Sequence, residues 1–332
     1  MEYRQLGESN LKVSAITFGA WAIGGWMWGG AERKDAREAI RASVDQGVTS
    51  IDTAPIYGQG TSEEIVGEAL EGIQRDKVQI LTKFGMTWEG NKGTFGFSST
   101  DNSGKAIDIY KYAGKESVIR ECEESLRRMK TDYIDLYQIH WPDATTPIEE
   151  TFEAVLRLQE QGKIRAAGVC NYNAEQMKQA DAVVKLASNQ VPFSMVERSI
   201  EKELTPYCIK NNKGILAYSP LQRGILTGKI RADHQFEAGD HRPTTKFYQP
   251  DNIARINAFL GLIKPLAESK NATLAQLVIR WTIERPGITV ALVGARNAGQ
   301  AIQNAKAIDI KLAPEEIDFI NKHLYALSLV SV

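Results

Sequence analysis

Residues 133–169 read YIDLYQIHWPDATTPIEETFEAVLRLQEQGKIRAAGV, which is two short apolar runs separated by a helical pattern. The runs, residues 133–140 and 163–169, have the length and the aliphatic and aromatic content of β-strands. Between them, apolar residues recur at helical spacing after a proline suited to a helix start and before a glycine suited to a helix end. This pattern consists of Pro147, Ile148, Phe152, Val155, Leu156 and Gly162. A strand, a helix and a second strand in this order predict a parallel βαβ unit.

The same alternation extends over the whole chain. Eight candidate strands end near Gly19, Asp52, Lys83, His140, Val169, Val191, Tyr218 and Gly294. Strict alternation of strands and helices predicts a parallel sheet with right-handed crossovers. A chain of 332 residues could hold two average domains, but no linker or shift in composition divides this one. We therefore predict an α/β fold, a single (β/α)8 TIM barrel domain over residues 1–332.

Three segments lie outside the repeated units. Residues 4–14 have apolar residues on both sides of a Gly/Ser/Asn turn, which predicts an N-terminal β-hairpin against the barrel floor. Residues 84–114 are rich in Gly, Ser, Asn and Lys, and residues 229–252 are mainly polar. We predict long loops over both ranges. Because each follows a strand end, both should rise over the same face of the barrel.

The composition is typical of a globular protein, with 43% hydrophobic residues, 24% charged residues and a formal net charge of -1. This charge balance gives no field that would attract nucleic acid or an anionic membrane. No apolar stretch approaches the length of about 20 residues that crosses a bilayer. Three cysteines, and an N-terminus without a cationic-then-apolar segment, predict a cytoplasmic protein. We expect no nucleic-acid or membrane partner, and the oligomeric state stays open.

Two familiar phosphate-binding patterns are incomplete here. Residues 58–63 (GQGTSE) lack the third glycine of the dinucleotide fingerprint. Residues 224–229 (GILTGK) are one residue short of a P-loop and lack its trailing Ser or Thr. A metal site is not indicated either, because only His140 of the four histidines lies at a strand end. A metal-dependent barrel hydrolase is therefore disfavoured.

Four polar residues, Asp52, Tyr57, Lys83 and His140, stand at or just past the ends of apolar runs. The carboxyl ends of parallel strands meet on one face and carry the chemistry of barrel enzymes. A tyrosine with a pKa near 10 is a poor acid at neutral pH unless a cation such as lysine stabilises its phenolate. A carboxylate keeps that lysine charged, and a neutral imidazole can orient a carbonyl beside the phenol. Each residue alone could be structural, but the ordered set predicts a proton-transfer site.

The same residues carry a family resemblance. Residues 52–58 (DTAPIYG), Lys83 at a strand end and residues 138–143 (QIHWPD) resemble the Asp–Tyr–Lys–His tetrad of the aldo-keto reductase superfamily. Further blocks follow in the same order at residues 168–171 (GVCN), 188–190 (SNQ), 217–221 (AYSPL) and 293–300 (VGARNAGQ). The resemblance extends from the hairpin to about residue 325. It is strongest to bacterial stress- and inositol-locus-type reductases and more distant to potassium-channel beta subunits. It implies a metal-independent oxidoreductase that uses NADP(H).

The resemblance also implies a cofactor site along the barrel mouth. Asn171 and Gln190 would bind the nicotinamide carboxamide, because an amide offers both the donor and the acceptor that it needs. Tyr218 would stack under the nicotinamide ring, and Arg296 would contact a 2′-phosphate, which favours NADP(H) over NAD(H). The implied cofactor residues are Gly19, Ala20, Trp21, Asp52, Asn171, Gln190, Tyr218, Ser219, Leu221, Gln222, Lys229, Arg242, Gly294, Arg296, Gln300 and Asn304. Cys170 stands where many members have Ser, and its role stays open.

The expected partner is a small-molecule carbonyl or alcohol. Its predicted contacts are Tyr57, His140 and five tryptophans of the loops, Trp21, Trp26, Trp28, Trp88 and Trp141. Aromatic walls suit apolar aldehydes and also stack on sugar rings, so no particular substrate follows. The predicted function is reversible NADPH-dependent reduction of an aldehyde or ketone to an alcohol, with the proton from Tyr57. The alternative is a cofactor-binding regulatory or redox-sensor subunit with little turnover.

Overall fold

The structure is a computed structural model that describes residues 1–26, 32–236, 240 and 242–330. Within these ranges the strands are β1 (Tyr3–Gln5), β2 (Lys12–Ser14), β3 (Ile16–Gly19), β4 (Ser50–Asp52), β5 (Gln79–Phe84), β6 (Met86–Thr87), β7 (Thr94–Thr100), β8 (Ala106–Lys111), β9 (Ile134–Ile139), β10 (Ile164–Cys170), β11 (Leu186–Pro192), β12 (Gly214–Tyr218) and β13 (Ile288–Gly294). The helices are α1 (Arg33–Asp45), α2 (Thr61–Leu70), α3 (Lys115–Met129), α4 (Ile148–Glu160), α5 (Ala174–Val183), α6 (Leu204–Lys210), α7 (Pro250–Ser269), α8 (Leu274–Ile283), α9 (Ala298–Ala305) and α10 (Pro314–Tyr325).

Eight strands close into a parallel barrel in the order β3, β4, β5, β9, β10, β11, β12, β13 and back to β3. The predicted (β/α)8 barrel is therefore confirmed, and each predicted strand end lies within one residue of the observed end. Both faces of these strands are buried, the inner face by the barrel core and the outer face by helices, which explains their nearly continuous apolar sequence. All six residues of β9, for example, are buried.

Alternation along each strand decides which side chains enter the barrel. On β9, Leu136 packs inside the barrel and Gln138 bonds to a carboxylate there, with His140 two residues further on the same face. Tyr137 points outward and donates a hydrogen bond to the Val118 carbonyl of α3. The start of β9 thus packs in the apolar core, and its carboxyl end presents polar side chains to the barrel interior.

The barrel floor is closed by the N-terminal hairpin, as predicted. Strands β1 and β2 pair antiparallel. Leu6 and Val13 of the hairpin region join the inward leucines of the barrel strands, including Leu81, Leu136 and Leu216, in one buried cluster. This apolar floor leaves the opposite, carboxyl end of the strands as the polar face.

Residues 84–114 connect β5 to α3, but they do not form the irregular loop that the sequence predicts. Strands β6, β8 and β7 pair in this order as an antiparallel sheet, which we call the flap sheet. Residues 94–100 (TFGFSST) and 106–111 (AIDIYK) alternate in polarity as strands do. Between them the Asp101 carboxylate accepts hydrogen bonds from the N–H groups of Ser103 and Lys105, at 2.8 and 2.9 Å. The high Gly, Ser and Asn content concealed this alternation.

The second predicted loop, residues 229–252, ends earlier than expected. Its described part contains only the short 3-10 turns Arg242–Thr244 and Lys246–Tyr248 before α7 begins at Pro250. Proline suits a first helical position because its fixed φ matches the helix and its missing N–H is not needed there.

Over the ranges that the structure describes, none of the helices has the length and apolarity required to cross a membrane.

Candidate active site

A cavity of about 490 Å³ opens at the carboxyl end of the barrel. Its inner end contains the side chains of Asp52, Tyr57 and His140, and its outer end reaches Arg296 and Gln300 beside β13 and α9. The cavity therefore spans the barrel mouth from the predicted proton-transfer site to Arg296, the predicted contact of the 2′-phosphate. It has the elongated, largely apolar character of a ligand site with a few polar groups.

Asp52, Lys83 and Tyr57 form a connected group at the inner end. The Lys83 ammonium donates hydrogen bonds to Asp52 Oδ1 at 2.6 Å, to the Thr53 carbonyl at 2.8 Å and to Tyr57 Oη at 3.2 Å. Lys83 is 0% exposed and Asp52 is 3% exposed. An ion pair taken out of water in this way persists only when its geometry and hydrogen bonds compensate for desolvation. Here all three donor positions of the ammonium are used.

Burial and the Lys83 charge act in opposite directions on the pKa of Tyr57. Burial raises the pKa of Tyr57 to about 12, while the nearby Lys83 cation lowers it in part. Burial alone would lower the pKa of Lys83, but the adjacent Asp52 carboxylate outweighs it and raises that pKa above its ordinary value. Lys83 is therefore charged and Tyr57 protonated at neutral pH. The Lys83 cation thus acts on Tyr57 in the expected direction, towards a more acidic phenol, but desolvation is the larger effect and keeps the pKa above its ordinary value.

His140 stands beside this group. Its backbone N–H donates to the Phe84 carbonyl at 2.9 Å, which ties the end of β9 to β5. Its ring meets the Tyr57 ring edge-on, with centroids 5.7 Å apart. Burial, and then the Lys83 charge, lower the pKa of His140 well below its ordinary value, so the imidazole is neutral at neutral pH. Its Nδ1 is buried without a hydrogen-bond partner among the described residues.

Three further predicted residues meet near the inner end. The Asn171 side chain donates to the His140 carbonyl at 3.1 Å and accepts a hydrogen bond from Tyr218 Oη at 3.1 Å. Gln190 donates to Asp52 Oδ2 at 2.8 Å. Each amide can make further bonds, since an amide oxygen accepts two and an amide nitrogen donates two. Asn171, Gln190 and Tyr218 all line the cavity, so their free positions can face a ligand.

The outer end is formed by two segments, after β12 and after β13. Ser219, Gln222 and Arg223 have positive φ values of 56°, 45° and 55°, which curl the chain around the cavity. The cavity is lined here by Ser219, Pro220, Leu221, Arg223, Gly224, Gly294, Ala295, Arg296 and Gln300. At the start of α9, the Gln300 side chain accepts a hydrogen bond from the Arg296 N–H at 2.9 Å. The predicted cofactor residues Gly19, Ala20 and Trp21 line the same cavity near β3.

Four predicted cofactor residues do not line this cavity. Gln222 is turned away and accepts a hydrogen bond from Ser194 Oγ at 3.0 Å. Lys229 is exposed, and Arg242 forms an ion pair with Asp240. Asn304 donates to the Gly294 carbonyl at 3.0 Å, so it supports the cavity wall from behind. These residues lie on or near segments that line the cavity, but residue types alone do not tell which side chains turn inward.

The substrate end of the cavity is mainly aromatic. Trp21, Trp26 and Trp141 line it as predicted positions, whereas Trp88 packs outside it against an apolar cluster that includes Trp26 and Met86. Trp28 lies outside the described residues. Ile56, Met86 and Phe97 line it without having been predicted. Phe97 belongs to the alternating strand β7, which is the signal that could have identified it.

The flap sheet is fastened over this end of the cavity. The Trp26 indole donates to Ser99 Oγ at 3.1 Å and to the Thr100 carbonyl at 3.0 Å. Asn102, at the tip between β7 and β8, donates to the Gly24 carbonyl at 2.9 Å. The ring of Trp26 also stacks on Phe97 with centroids 6.1 Å apart. These contacts fix the aromatic wall that faces Tyr57.

Arg223 is another lining residue that the sequence pattern does not identify. Its guanidinium lies 5.8 Å from the centroid of the Trp21 ring. Burial lowers the pKa of Arg223 below its usual value, so holding its charge here has a cost.

Within the described ranges, no group of three His, Cys, Asp or Glu side chains is arranged to hold a metal ion.

The buried acid Glu121 predicts a stability that depends on pH. Glu121 of α3 accepts hydrogen bonds from the Gly85 N–H and from Ser117 Oγ, both at 2.9 Å, and burial raises its pKa to about 7. The folded-state pKa lies above the unfolded value, so this group destabilises the fold progressively as the pH rises through about 7. We expect the free energy of unfolding of Glu121→Gln to match that of the native chain at pH 5 and to exceed it by about 3 kcal/mol at pH 9. Urea unfolding at both pH values measures this.

The matched control is Glu116→Gln, which changes an exposed acid on the same helix. This variant should change its free energy of unfolding between the two pH values by the same amount as the native chain does. A Glu121→Gln variant whose stability tracks the native chain at both pH values would contradict the raised pKa.

Comparison with known proteins gives matches over nearly the whole chain. The profile of the Aldo/keto reductase family matches residues 15–325. Aldo-keto reductase YhdN of Bacillus subtilis is 40% identical over 302 residues, which are 90% of this chain and 86% of that protein. The NADH-specific methylglyoxal reductase of Escherichia coli is 33% identical over 327 residues, 97% of this chain and 98% of that protein. The solved glycerol dehydrogenase of Gluconobacter oxydans superposes with a TM-score of 0.88 at 36% identity, covering 99% of this chain and 97% of that one.

Proposed function

The chain belongs to the aldo/keto reductase family, and on that premise we propose that it reduces aldehydes or ketones reversibly to alcohols with NADPH, the proton coming from Tyr57. Family membership supports carbonyl reduction by an oxidoreductase that uses a nicotinamide cofactor. The preference for NADPH, the range of substrates and the roles of individual residues are the proposed part.

The residues around the barrel mouth fit a nicotinamide dinucleotide. The inner end of the cavity offers the amides of Asn171 and Gln190, with Tyr218 beside them. The outer end offers the curled backbone of residues 219–224 and the cations Arg223 and Arg296, which suit phosphate groups. When bound, the nicotinamide supplies the hydride to the carbonyl carbon. The proton and the orientation of the substrate come from the chain itself.

The contact of Lys83 with both Asp52 and Tyr57 is the observation that carries the proposal. Because the pKa of Tyr57 is about 12, the phenol keeps its proton across the neutral range until a carbonyl oxygen receives it. The phenolate that remains is then stabilised by the Lys83 cation at 3.2 Å. Asp52 holds that cation in place. General acid catalysis of this kind contributes a factor of about 10² to 10⁴ in rate.

His140 is proposed to orient the carbonyl. A neutral imidazole carries one N–H, and Nδ1 of His140 has no acceptor among the described residues. A buried N–H without an acceptor is costly, so the proton belongs on Nε2. His140 lines the cavity and touches the Tyr57 ring, so an Nε2–H can hydrogen-bond the oxygen that Tyr57 protonates. The aromatic wall of Trp21, Trp26, Phe97 and Trp141 would hold the rest of the substrate.

The activity is tested by steady-state assays with a panel of carbonyl compounds and either NADPH or NADH. The names of two relatives suggest methylglyoxal for the panel and glycerol for assays in the oxidative direction, and the aromatic wall adds benzaldehydes and apolar ketones. Turnover with at least one member supports the proposal. A tightly bound cofactor with no turnover on any member would instead favour a regulatory or redox-sensor subunit.

Arg296 is proposed to select NADPH through its 2′-phosphate. We expect Arg296→Ala to raise KM for NADPH roughly 10-fold or more, as the loss of a charge-assisted bond implies, while KM for NADH stays nearly constant. The ratio of kcat/KM for the two cofactors measures the effect. Lys306→Ala removes an exposed cation just after α9 and should leave the ratio unchanged. Equal losses for both cofactors in Arg296→Ala would contradict the 2′-phosphate contact.

A further inference from the structure

We propose that Gln138 is a positioning residue that holds Asp52 and Gln190 together, and so couples the cofactor amide site to the proton-donating group. The proposal rests on the function proposed above. Gln138 does not line the cavity, so it would act through its neighbours rather than on a ligand. Its sequence position, two residues before His140, gave no such indication.

The position of Gln138 is fixed by the barrel itself. It lies on β9 directly opposite Lys83 of β5 and Gly168 of β10. It is 0% exposed. A Cβ atom on Gly168 would come within 3.0 Å of Gln138 Cγ, closer than such atoms ordinarily approach. The glycine therefore leaves the space that the glutamine side chain occupies, and the polar group is built into the barrel interior.

The hydrogen bonds of Gln138 determine the orientation of its amide. Its Nε2 donates to Asp52 Oδ2 at 3.3 Å, and its Oε1 accepts from Gln190 Nε2 at 3.4 Å and faces Cys170 Sγ at 4.0 Å. The reverse orientation would set an amide oxygen against the Asp52 carboxylate and an amide nitrogen against that of Gln190. Both contacts would be repulsive, so only one orientation fits.

The consequence concerns both oxygens of Asp52. Oδ1 accepts from Lys83, and Oδ2 accepts from Gln190 and Gln138. Gln138 therefore helps to prevent Asp52 from turning away from Lys83. It also holds the Gln190 nitrogen inward, which leaves the Gln190 oxygen for the nicotinamide carboxamide. A single buried amide thus orients one group on the acid side and one group on the cofactor side.

The first test is Gln138→Leu, which keeps the volume approximately and removes both hydrogen bonds. We expect kcat to fall roughly 10- to 100-fold, the factor that one lost bond to a charged group represents. KM for the carbonyl and the dissociation constant of NADPH, from nicotinamide fluorescence, should change less than kcat. Ser188→Ala is the matched control, because Ser188 is buried on β11, two strands away from β9, and its Oγ has no hydrogen-bond partner among the described residues.

Gln138→Glu gives a signature that a packing role cannot produce. When the introduced carboxyl group is protonated, it donates to Asp52 and accepts from Gln190 as the amide does. When it ionises in this buried position, two carboxylates face each other, which raises its pKa, and the Lys83 cation opposite it on β5 offsets this only in part because it is already paired with Asp52. We expect kcat near the native level at low pH and a decline towards the Gln138→Leu level as the pH rises. In the native chain, kcat should not show this decline with rising pH.

A readout without turnover accompanies the assays. In the cofactor-free chain, the stability of Gln138→Glu relative to the native chain should fall as the pH rises, because its folded-state pKa lies above the unfolded value. Denaturant unfolding at several pH values measures this. If the native chain turns over no substrate, the proposed function fails, while this measurement still tests the contact with Asp52.

Two results would overturn the inference. One is a Gln138→Leu variant whose kcat stays within about twofold of the native value in an active enzyme, which is less than a lost charged hydrogen bond should cost. The other is equal, pH-independent loss in Gln138→Leu, Gln138→Glu and Ser188→Ala, which would reduce the role of Gln138 to packing. A pH-dependent loss confined to Gln138→Glu, with a uniform loss in Gln138→Leu, supports it.

Discussion

Tyr57→Phe is expected to lower kcat for carbonyl reduction by at least about 10²-fold, because it removes the only proton donor proposed for the substrate oxygen. The change deletes one oxygen and retains the ring, which contacts Trp21 and His140. Lys83 loses one acceptor but keeps Asp52 and the Thr53 carbonyl. The fold and the cofactor cavity should therefore survive. Steady-state kcat and the dissociation constant of NADPH measure the two effects separately.

Tyr137→Phe provides the matched control. Tyr137 is also a buried tyrosine, and its hydroxyl donates to the Val118 carbonyl outside the barrel interior. Losing that bond should lower stability slightly and leave kcat unchanged, since the side chain points away from the cavity. If Tyr57→Phe retained turnover within a few-fold of the native chain, another group would have to supply the proton. The proposed mechanism would then be wrong, although family membership would stand.

The strand ends could be predicted from the sequence because barrel strands are short, apolar and regularly spaced. Asp52, Lys83 and His140 interrupt apolar runs where the strands end, so a pattern of local polarity was sufficient to find them. Tyr57 follows β4 by five residues, so its place past the strand end is a weaker signal, and the motif in which it stands adds support. The meeting of all four at one face follows from barrel closure, since every parallel strand ends on the same side.

The role proposed for Gln138 is not visible in the sequence. Gln138 lies within the run YIDLYQIH, where a glutamine inside an apolar strand looks like a minor irregularity. Its meaning depends on facing Lys83 and Gly168 across neighbouring strands, which are distant in sequence. The same limit applies to Gln222, because its backbone bends with a positive φ and turns the side chain towards Ser194. Long-range pairing and local turns decide these orientations, and neither is visible in residue types alone.

The flap sheet illustrates a different limit. Gly and Asn are depleted in strands, so the composition of residues 84–114 predicts a loop. The alternation of TFGFSST was present, but it competed with that composition. The sheet gains stability from tertiary contacts, including the Trp26 indole on Thr100 and the Asn102 amide on Gly24. Packing over the cavity thus overrode local propensity, and it brought Phe97 to the substrate end.

Removing the buried cation should affect stability and activity in different ways. In Lys83→Met the Asp52 carboxylate keeps its position but loses its partner at 2.6 Å, at a site where it is 3% exposed. An uncompensated buried charge of this kind costs about 3–5 kcal/mol of unfolding free energy. Turnover should fall as well, since the Tyr57 phenolate is no longer stabilised. Denaturant unfolding and steady-state kcat measure the two losses.

The double variant Asp52→Asn/Lys83→Met separates the loss of stability from the loss of turnover. With neither charge present, the desolvation cost disappears on both sides, so most of the lost stability should return. Turnover should not return, because the cation that stabilises the Tyr57 phenolate is still absent. Lys130→Met, which breaks the exposed pair with Glu71, should change stability little, since water screens such pairs. Stability restored together with turnover in the double variant would show that Lys83 acts only as a structural partner of Asp52, and the acid role proposed for the Lys83–Tyr57 contact would be wrong.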